Sequence, residues 1–216
     1  MRRFLIAIAA SFAAFGVGAQ SVLAQEFTVT LGSSYIDTAT FNDRFSDEPV
    51  VQVSATFDLG DGFYAEPYAS SGFKSPFNDA SSEYGLEIGW EGDLAEDVTL
   101  NVAAGRWANY GGAGFDEGDW FLKVGVTHGN LTVAVSALQG ASDTAILHVA
   151  YELPVNDRLS LTPSAAFSTR DGTVNPGVAA SYRLTDAFSL NAMVVVPERP
   201  GGSRQVYAGV SIAWTF

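Results

Sequence analysis

The sequence predicts an all-β fold, a transmembrane antiparallel up-and-down β-barrel of about 12 strands that is preceded by a cleaved signal peptide. Three observations support this prediction. Apolar residues recur at every second position, short turns alternate with longer polar connections, and aromatic residues gather near the ends of the predicted strands. Ten strands are the alternative, if the segments 130–139 and 143–153 pair differently.

The composition excludes several classes of protein. The 216 residues are 47% hydrophobic, 12% aromatic and 16% charged, which is inconsistent with intrinsic disorder. The net charge of -13 argues against a nucleic-acid partner, because phosphates require a basic surface. The chain has no cysteine, so a disulfide scaffold and a thiolate metal site are excluded. Two histidines and acidic loops without EF-hand spacing give no indication of a metal or another cofactor.

The first 24 residues have the order of regions typical of a secretory signal peptide. Arg2 and Arg3 supply a positive start, and an apolar run follows over 4–17. A membrane anchor needs about 20 apolar residues, and Gly16 interrupts the run too early for one. We therefore expect cleavage after Ala24, with residues 1–24 as the signal peptide and residues 25–216 as the barrel. No later segment has 18 consecutive apolar residues, so only strands could cross a membrane.

The period of two is clearest in the last segment, where Val210 and Ile212 alternate with Gly209, Ser211 and Ala213. Comparable segments have about ten residues each, the length of a tilted strand in a bilayer. The predicted strands span 26–36, 49–59, 62–73, 82–92, 97–108, 119–128, 130–139, 143–153, 157–168, 174–184, 187–197 and 204–216.

The connections between these segments alternate in length. Five are tight turns rich in Gly, Asn, Asp and Pro, at 59–62, 92–97, 128–130, 153–158 and 184–187. The longer polar connections are 37–48, 74–81, 109–118, 169–173 and 198–203, and the short stretch 140–142 is the exception. Outer-membrane barrels have short periplasmic turns and longer external loops, so both termini are expected on the periplasmic side.

Aromatic residues near the strand ends predict two belts at the membrane interfaces. The belt near the periplasmic ends comprises Phe57, Phe63, Trp90, Tyr151, Tyr182, Phe188 and Trp214. The belt near the external ends comprises Tyr35, Phe73, Tyr84, Trp107, Trp120, Phe167 and Tyr207.

The C-terminal segment resembles the assembly signal of bacterial outer-membrane proteins, since Trp214 and Phe216 stand at alternate positions. This resemblance implies recognition by the barrel-assembly machinery and insertion into outer-membrane lipid. The chain also resembles the TorF-type porin family, small barrels of Gram-negative bacteria. That resemblance is carried by 62–70 (GFYAEPYAS), by 87–90 (EIGW) leading to 97–102 (DVTLNV), and by 151–154 (YELP). It implies a pore-forming role in the outer membrane.

A barrel of 12 strands lies between small filled barrels and wide porins, so the size of the inward residues decides whether water fits. Tyr64, Tyr68 and Met193 are expected to narrow the lumen. The small inward residues favour a lumen with room for water: Gly85, Gly89, Ala103, Gly105, Gly125, Ala134, Ala150, Ala166, Gly177, Ala179, Gly209 and Ala213.

Six polar residues share the inward face at similar heights above the periplasmic turns. They are Glu66, Glu87, Asn101, Lys123, His148 and Asn191. One interpretation is a constriction in which Glu66 and Glu87 oppose Lys123 and set the charge preference of a pore. The other is a structural ladder of salt bridges and hydrogen bonds that satisfies inward polar groups.

These features favour an outer-membrane porin that lets small solutes diffuse through a narrow polar lumen. No catalytic residue is expected, because no GxSxG motif accompanies His128 or His148. One alternative is a sealed barrel with a structural or adhesive role through external loops such as 111–115. Another is a soluble secreted β-barrel binding protein, which would place its charges on the outer surface.

Overall fold

The computed structural model describes residues 24–37, 42–71, 74–75, 78–79, 82–111, 114–115, 118–139, 144–170, 172–198, 204 and 206–215. Within these ranges, twelve long strands form one antiparallel sheet in which sequence neighbours pair, and the sheet closes because the first strand pairs with the last. The strands are β1 (Ala24–Asp37), β2 (Asn42–Gly60), β3 (Phe63–Ser71), β4 (Ser82–Ala95), β5 (Val98–Gly111), β6 (Asp119–His128), β7 (Leu131–Gln139), β8 (Thr144–Tyr151), β9 (Leu159–Ser168), β10 (Val174–Arg183), β11 (Phe188–Val195) and β12 (Tyr207–Thr215).

The remaining β-structure of the described ranges is short. Two-residue strands lie at Lys74–Ser75, Asn78–Asp79, Gly114–Phe115 and Leu153–Pro154. No helix long and apolar enough to cross a bilayer occurs in the part of the chain that the structure describes. The predicted signal peptide falls almost wholly outside the described residues, which begin at Ala24.

The prediction of 12 strands is confirmed, and the alternative of ten is wrong. β7 and β8 pair with each other in one unbroken register, with Val135 opposite Leu147. β7 also pairs with β6, and β8 with β9, so neither segment drops out of the sheet.

The predicted connection 37–48 is too long. β1 continues to Asp37 and β2 begins at Asn42, with Tyr35 opposite Arg44 in the ladder. The period-two pattern locates strands through their apolar face, and this hairpin extension is polar in sequence from Asn42 to Glu48 apart from Phe45. Backbone pairing needs no apolar side chains, so the pattern underestimated the length of both strands.

The barrel has two unlike ends. The short-turn end carries the connections at 61–62, 96–97, 129–130, 152–158 and 184–187. The β2–β3 turn requires left-handed backbone at Gly60, Asp61 and Gly62, with φ of 89°, 54° and 81°. A Cβ at Gly62 would also come within 2.2 Å of the Glu91 carbonyl oxygen, so glycine is required there twice over. The opposite end, with the longer connections, is the long-loop end.

The outer surface is apolar. On β6, Leu122 and Val124 are exposed, whereas Lys123 between them is buried inside the barrel. Ile88 and Ile212 likewise expose 53% and 51% of their surface on the outside. A water-soluble barrel would leave these stripes in contact with water, so this orientation contradicts the soluble alternative and matches a lipid-facing surface.

The aromatic belt is present outside the short-turn end, where Phe188 and Trp214 stack with ring centroids 5.5 Å apart. At the long-loop end, Trp120 exposes 58% of its surface. Trp107 and Tyr207 were predicted in this second belt and are instead buried inside the barrel. The prediction used only their height along the strand, whereas the alternation of side chains along each strand points both of them into the barrel. Phe73 and the side chain of Tyr35 lie outside the described residues.

Candidate functional site

Two carboxylates face each other on neighbouring strands of the barrel wall. Glu66 of β3 is the direct cross-strand partner of Glu87 of β4, in a register that runs unbroken from Phe63 to Ser71. The shifts in the β2–β3 and β4–β5 ladders lie at Asp58 and Asp93, beside the tight turns. No shift falls between these positions and the two glutamates, so both side chains point into the barrel, as the alternation predicts.

Lys123 of β6 reaches Glu87 from two strands away. Its Nζ atom lies 2.9 Å from Oε1 of Glu87, and the two side chains expose 3% and 1% of their surface. β5 runs between them and presents Ala103 opposite Lys123 and Gly105 opposite Glu87. These small residues leave the space through which the lysine crosses β5.

A hydrogen-bond network extends from this ion pair towards the short-turn end. The hydroxyl of Tyr64 donates to Oε1 of Glu87, and Nδ2 of Asn101 donates to the Tyr64 hydroxyl at 3.1 Å. The same Nδ2 lies 3.3 Å from Oε2 of Glu91. On the other side, Thr56 Oγ1 donates to Oε2 of Glu66 at 3.1 Å.

Two cavities occupy the lumen around this network. The first, of about 560 Å³, is bordered by Glu66, Glu87, Asn101 and Lys123 and extends to the exposed Asp61 at the short-turn end. The second, of about 290 Å³, lies against β1, β2 and β9 to β12. Glu66 borders both cavities, so the two spaces adjoin at its side chain.

The rest of the lumen is not equally open. The side formed by β3 to β9, which we name the bulky wall, borders the first cavity towards the short-turn end and is filled by a cluster of buried inward side chains towards the long-loop end. The members of this cluster are Tyr68, Trp107, Phe121, Leu138, Ile146 and Ala166. The side formed by β10 to β12, β1 and β2 borders the second cavity with Thr, Ser, Ala and Gly, and we name it the small-residue wall.

Three of the glycines that predicted open space are covered by rings. Gly85 is the cross-strand partner of Tyr68, Gly89 of Tyr64, and Gly105 of Phe121. A Cβ built on these glycines would lie 2.0 to 2.3 Å from atoms of the opposite ring. The expectation of water at these three positions is wrong, because glycine here makes room for an aromatic side chain rather than for solvent.

The structure brings four of the six predicted polar residues to one cavity, namely Glu66, Glu87, Asn101 and Lys123. Asn191 borders the second cavity, across the lumen. His148 is 3% exposed, and neither cavity includes it.

Sequence reasoning missed six polar groups at the first cavity, although all have the inward parity or lie in the turn below it. They are Thr56, Asp58, Asp61, Glu91, Thr127 and Thr132. The signal was available in the alternation of β2 and β4, where Thr56, Asp58 and Glu91 share the face of Ser54 and Glu87.

The remaining predicted groups lie away from the lumen. Trp214 is on the outer surface, and Phe216 lies outside the described residues. His128 is exposed at the short-turn end. Among the residues that the structure describes, no group of three or more His, Asp or Glu side chains could hold a metal ion.

Solved structures with this fold include small outer-membrane porins. The KdgM porin in complex with disordered oligogalacturonate has a TM-score of 0.65 and 8% identity, and covers 88% of this chain and 99% of that chain. The NanC porin has a TM-score of 0.58 and 10% identity, over 88% of this chain and 98% of that chain. At these identities the similarity shows the fold alone.

An enzyme shares the same fold. Outer membrane phospholipase A from Escherichia coli has a TM-score of 0.54 and 14% identity, and covers 93% of this chain and 94% of that chain. No protein-family model matches the chain, and no curated protein has a significantly similar sequence. The closed fold and the apolar outer surface nevertheless identify a porin-like barrel of the outer membrane. A fold does not determine a function, so the function depends on the residues of the lumen.

Proposed function

We propose that the protein is a narrow porin through which small solutes diffuse passively. The observation that carries this proposal is the pair of polar cavities that adjoin at Glu66. Together they leave space beside a lumen wall that is otherwise packed. A barrel needed only as a scaffold could fill this volume with its own side chains, as smaller barrels do.

The route runs through the first cavity beside β2 to β7 and then follows the small-residue wall along the second cavity. A solute entering from the short-turn end meets Asp61, passes Glu66, and continues beside Asn191, Ser211 and Gly209. The bulky wall closes the other side of the lumen with Trp107 and Phe121, whose rings lie 5.5 Å apart. Passage along one wall explains why the pore would be narrow in spite of 12 strands.

The narrow point of this route is the polar group formed by Glu66, Glu87, Asn101 and Lys123. The ion pair and its hydrogen bonds also satisfy buried polar groups, as the structural interpretation requires. The constriction and the structural ladder are compatible, because Glu87 and Lys123 form an ion pair with each other while Glu66 borders both cavities. We therefore assign the constriction to Glu66 and the support of its wall to the ion pair.

The finer features of the proposal follow from the sequence. We propose membership of the TorF-type porins, cleavage of residues 1–24, and short turns on the periplasmic side. Insertion would use the barrel-assembly machinery and the C-terminal aromatic residues, and lipid would cover the outer surface. We propose no enzymatic activity, since neither described histidine borders a cavity.

A second candidate function is a sealed barrel that acts through its external loops. The packing of the bulky wall favours this candidate, because Tyr68, Trp107 and Phe121 are each at most 6% exposed. A sealed barrel and a porin differ in a single measurable property, the passage of ions after insertion.

Planar-bilayer recording of the refolded protein tests the proposal, with heat-dependent mobility as the check of barrel folding. Discrete current steps are expected from the wild type. Glu66→Ala removes a side chain and its charge at the point where the cavities adjoin and should change the unitary conductance. Glu96→Ala, on the exposed turn of the β4–β5 hairpin, is the matched control and should leave it unchanged. Insertion of folded barrels without current would instead support the sealed barrel.

A further inference from the structure

We infer that the lumen selects cations and takes small amine-bearing solutes, an inference that rests on the proposed porin function. The residues that border the two cavities include six carboxylates and one basic side chain. The carboxylates are Glu26, Asp58, Asp61, Glu66, Glu87 and Glu91. Among the described side chains, with Lys123 as the basic residue, the formal charge along the route is 6 negative against 1 positive.

The positive charge of Lys123 does not attract an anion on the route. Its Nζ atom lies 2.9 Å from Glu87, and 97% of its side chain is buried. A cation held this closely by a carboxylate presents almost no net charge to the route. The five other carboxylates therefore determine the field along the two cavities.

The other basic side chains that the structure describes border neither cavity, and the side chains of Arg44 and Lys74 lie outside the described residues. Arg106 faces outward, with its guanidinium carbon 5.3 Å from the centre of the Trp120 ring. Arg158 and Arg183 are exposed near the short-turn end, and Arg170 and Arg204 are exposed beyond the strands of the long-loop end. In a narrow passage with low-dielectric walls, charge of one sign concentrates counter-ions of the other.

A second, independent feature points to a ligand that donates hydrogen bonds. Gln52 borders the second cavity with 91% of its surface buried, and its Oε1 atom has no hydrogen-bond partner among the residues that the structure describes. A buried carbonyl oxygen requires an N–H or O–H donor. An ammonium group provides both positive charge for Glu66 and N–H donors for Gln52, whereas a carboxylate solute provides neither.

The size of the cavities limits the solute. Spaces of about 560 and 290 Å³ hold molecules of a few heavy atoms up to the size of a small metabolite. The class that fits is therefore a small organic ammonium ion, with potassium as the inorganic ion of the same charge. An acidic sugar such as galacturonate has the wrong charge for this lumen.

Reversal potentials of the full refolded barrel in planar bilayers test the inference. A KCl gradient should give a potential of the sign expected when potassium carries most of the current. Glu66→Gln should lower the potassium-to-chloride permeability ratio by about 15-fold, because one negative charge some 5 Å from the ion in water favours the cation about fourfold and disfavours the anion about fourfold. Glu66→Gln/Glu87→Gln should lower it further, because Lys123 then loses its partner. Glu96→Gln, which removes an exposed charge outside the cavities, should leave the ratio unchanged.

Replacement of one cation by another tests the solute class. Ethylammonium should permeate at a rate comparable to potassium, and sodium galacturonate should carry almost no anion current. Gln52→Met, which keeps the length and removes the acceptor, should lower the ethylammonium-to-potassium ratio. Clear current with chloride selectivity would overturn the inference and leave the porin function intact, whereas absence of current from folded, inserted barrels would overturn both. Equal ethylammonium ratios in wild type and Gln52→Met would overturn the assignment of Gln52.

Discussion

The two walls of the lumen use small residues in opposite ways. On the bulky wall, Gly85 lies opposite Tyr68 and Gly105 opposite Phe121, so each glycine is covered by an aromatic ring. On the small-residue wall, Gly209 borders a cavity of about 290 Å³. A small inward residue therefore has two meanings, since it either makes room for an aromatic ring or borders open space.

This difference separates stability from passage. The bulky wall holds the buried ion pair and the aromatic cluster, so changes there should lower the free energy of unfolding. The small-residue wall carries hydroxyl groups and glycine beside open space, so changes there should alter the current more than the stability. Matched variants of the two walls test this division between stability and current.

The largest expected effect is at the ion pair of the bulky wall. Lys123→Met leaves Glu87 buried without its lysine and should lower the free energy of unfolding by about 3 to 5 kcal/mol. Urea unfolding of the refolded barrel in lipid vesicles measures this loss. Lys123→Met/Glu87→Gln is the control, and it should recover most of the loss. Equal stability of Lys123→Met and wild type would show that the pair does not support the wall.

The next effect compares one glycine from each wall. Gly85→Ala places a Cβ 2.0 Å from a ring carbon of Tyr68 and should lower the free energy of unfolding by about 1 to 3 kcal/mol. Gly209→Ala should change it by less than about 0.5 kcal/mol, because that position borders a cavity. In the Tyr68→Leu background, Gly85→Ala should cost less free energy of unfolding than it does in the wild type, because the ring that the new methyl group meets is gone. The comparison fails if both single variants unfold at the same urea concentration.

A smaller effect is expected from the buried hydrogen bond between Tyr68 and Glu83. The Tyr68 hydroxyl donates to Oε1 of Glu83 at 3.0 Å, and Glu83 is 0% exposed. Tyr68→Phe keeps the ring over Gly85 and removes the donor, so it should cost about 1 to 2 kcal/mol of unfolding free energy. Tyr182→Phe, on the outer surface at the short-turn end, is the matched control with no expected change.

Much of the fold could be predicted because one face of the strands forms the apolar outer surface of the barrel. The alternation of apolar and polar residues, as at Ile212 and Ser211, shows which side chains of a strand point outward and which inward. It predicted Glu66, Glu87 and Lys123 inside the barrel, where they border one cavity. Counting from tight turns works because a strand rises by a fixed distance per residue.

The remaining features depend on the partner across the strand, which a single strand does not reveal. Gly105 predicts open space when its own strand is considered alone, but Phe121 lies opposite it in the register. Trp107 and Tyr207 were misplaced because height was used without the direction of the side chain. The hydrogen bond from Tyr64 to Glu87 also depends on a side-chain conformation, which periodicity leaves open.

The most direct test of a passage along the small-residue wall is the accessibility of single cysteines, since the natural chain contains none. Ser211→Cys faces the second cavity, Leu138→Cys lies in the bulky wall, and Ile212→Cys faces lipid. A cationic, membrane-impermeant thiol reagent added during bilayer recording should reduce the current through Ser211→Cys and leave the other two unchanged. Block of Leu138→Cys with no effect on Ser211→Cys would contradict the route.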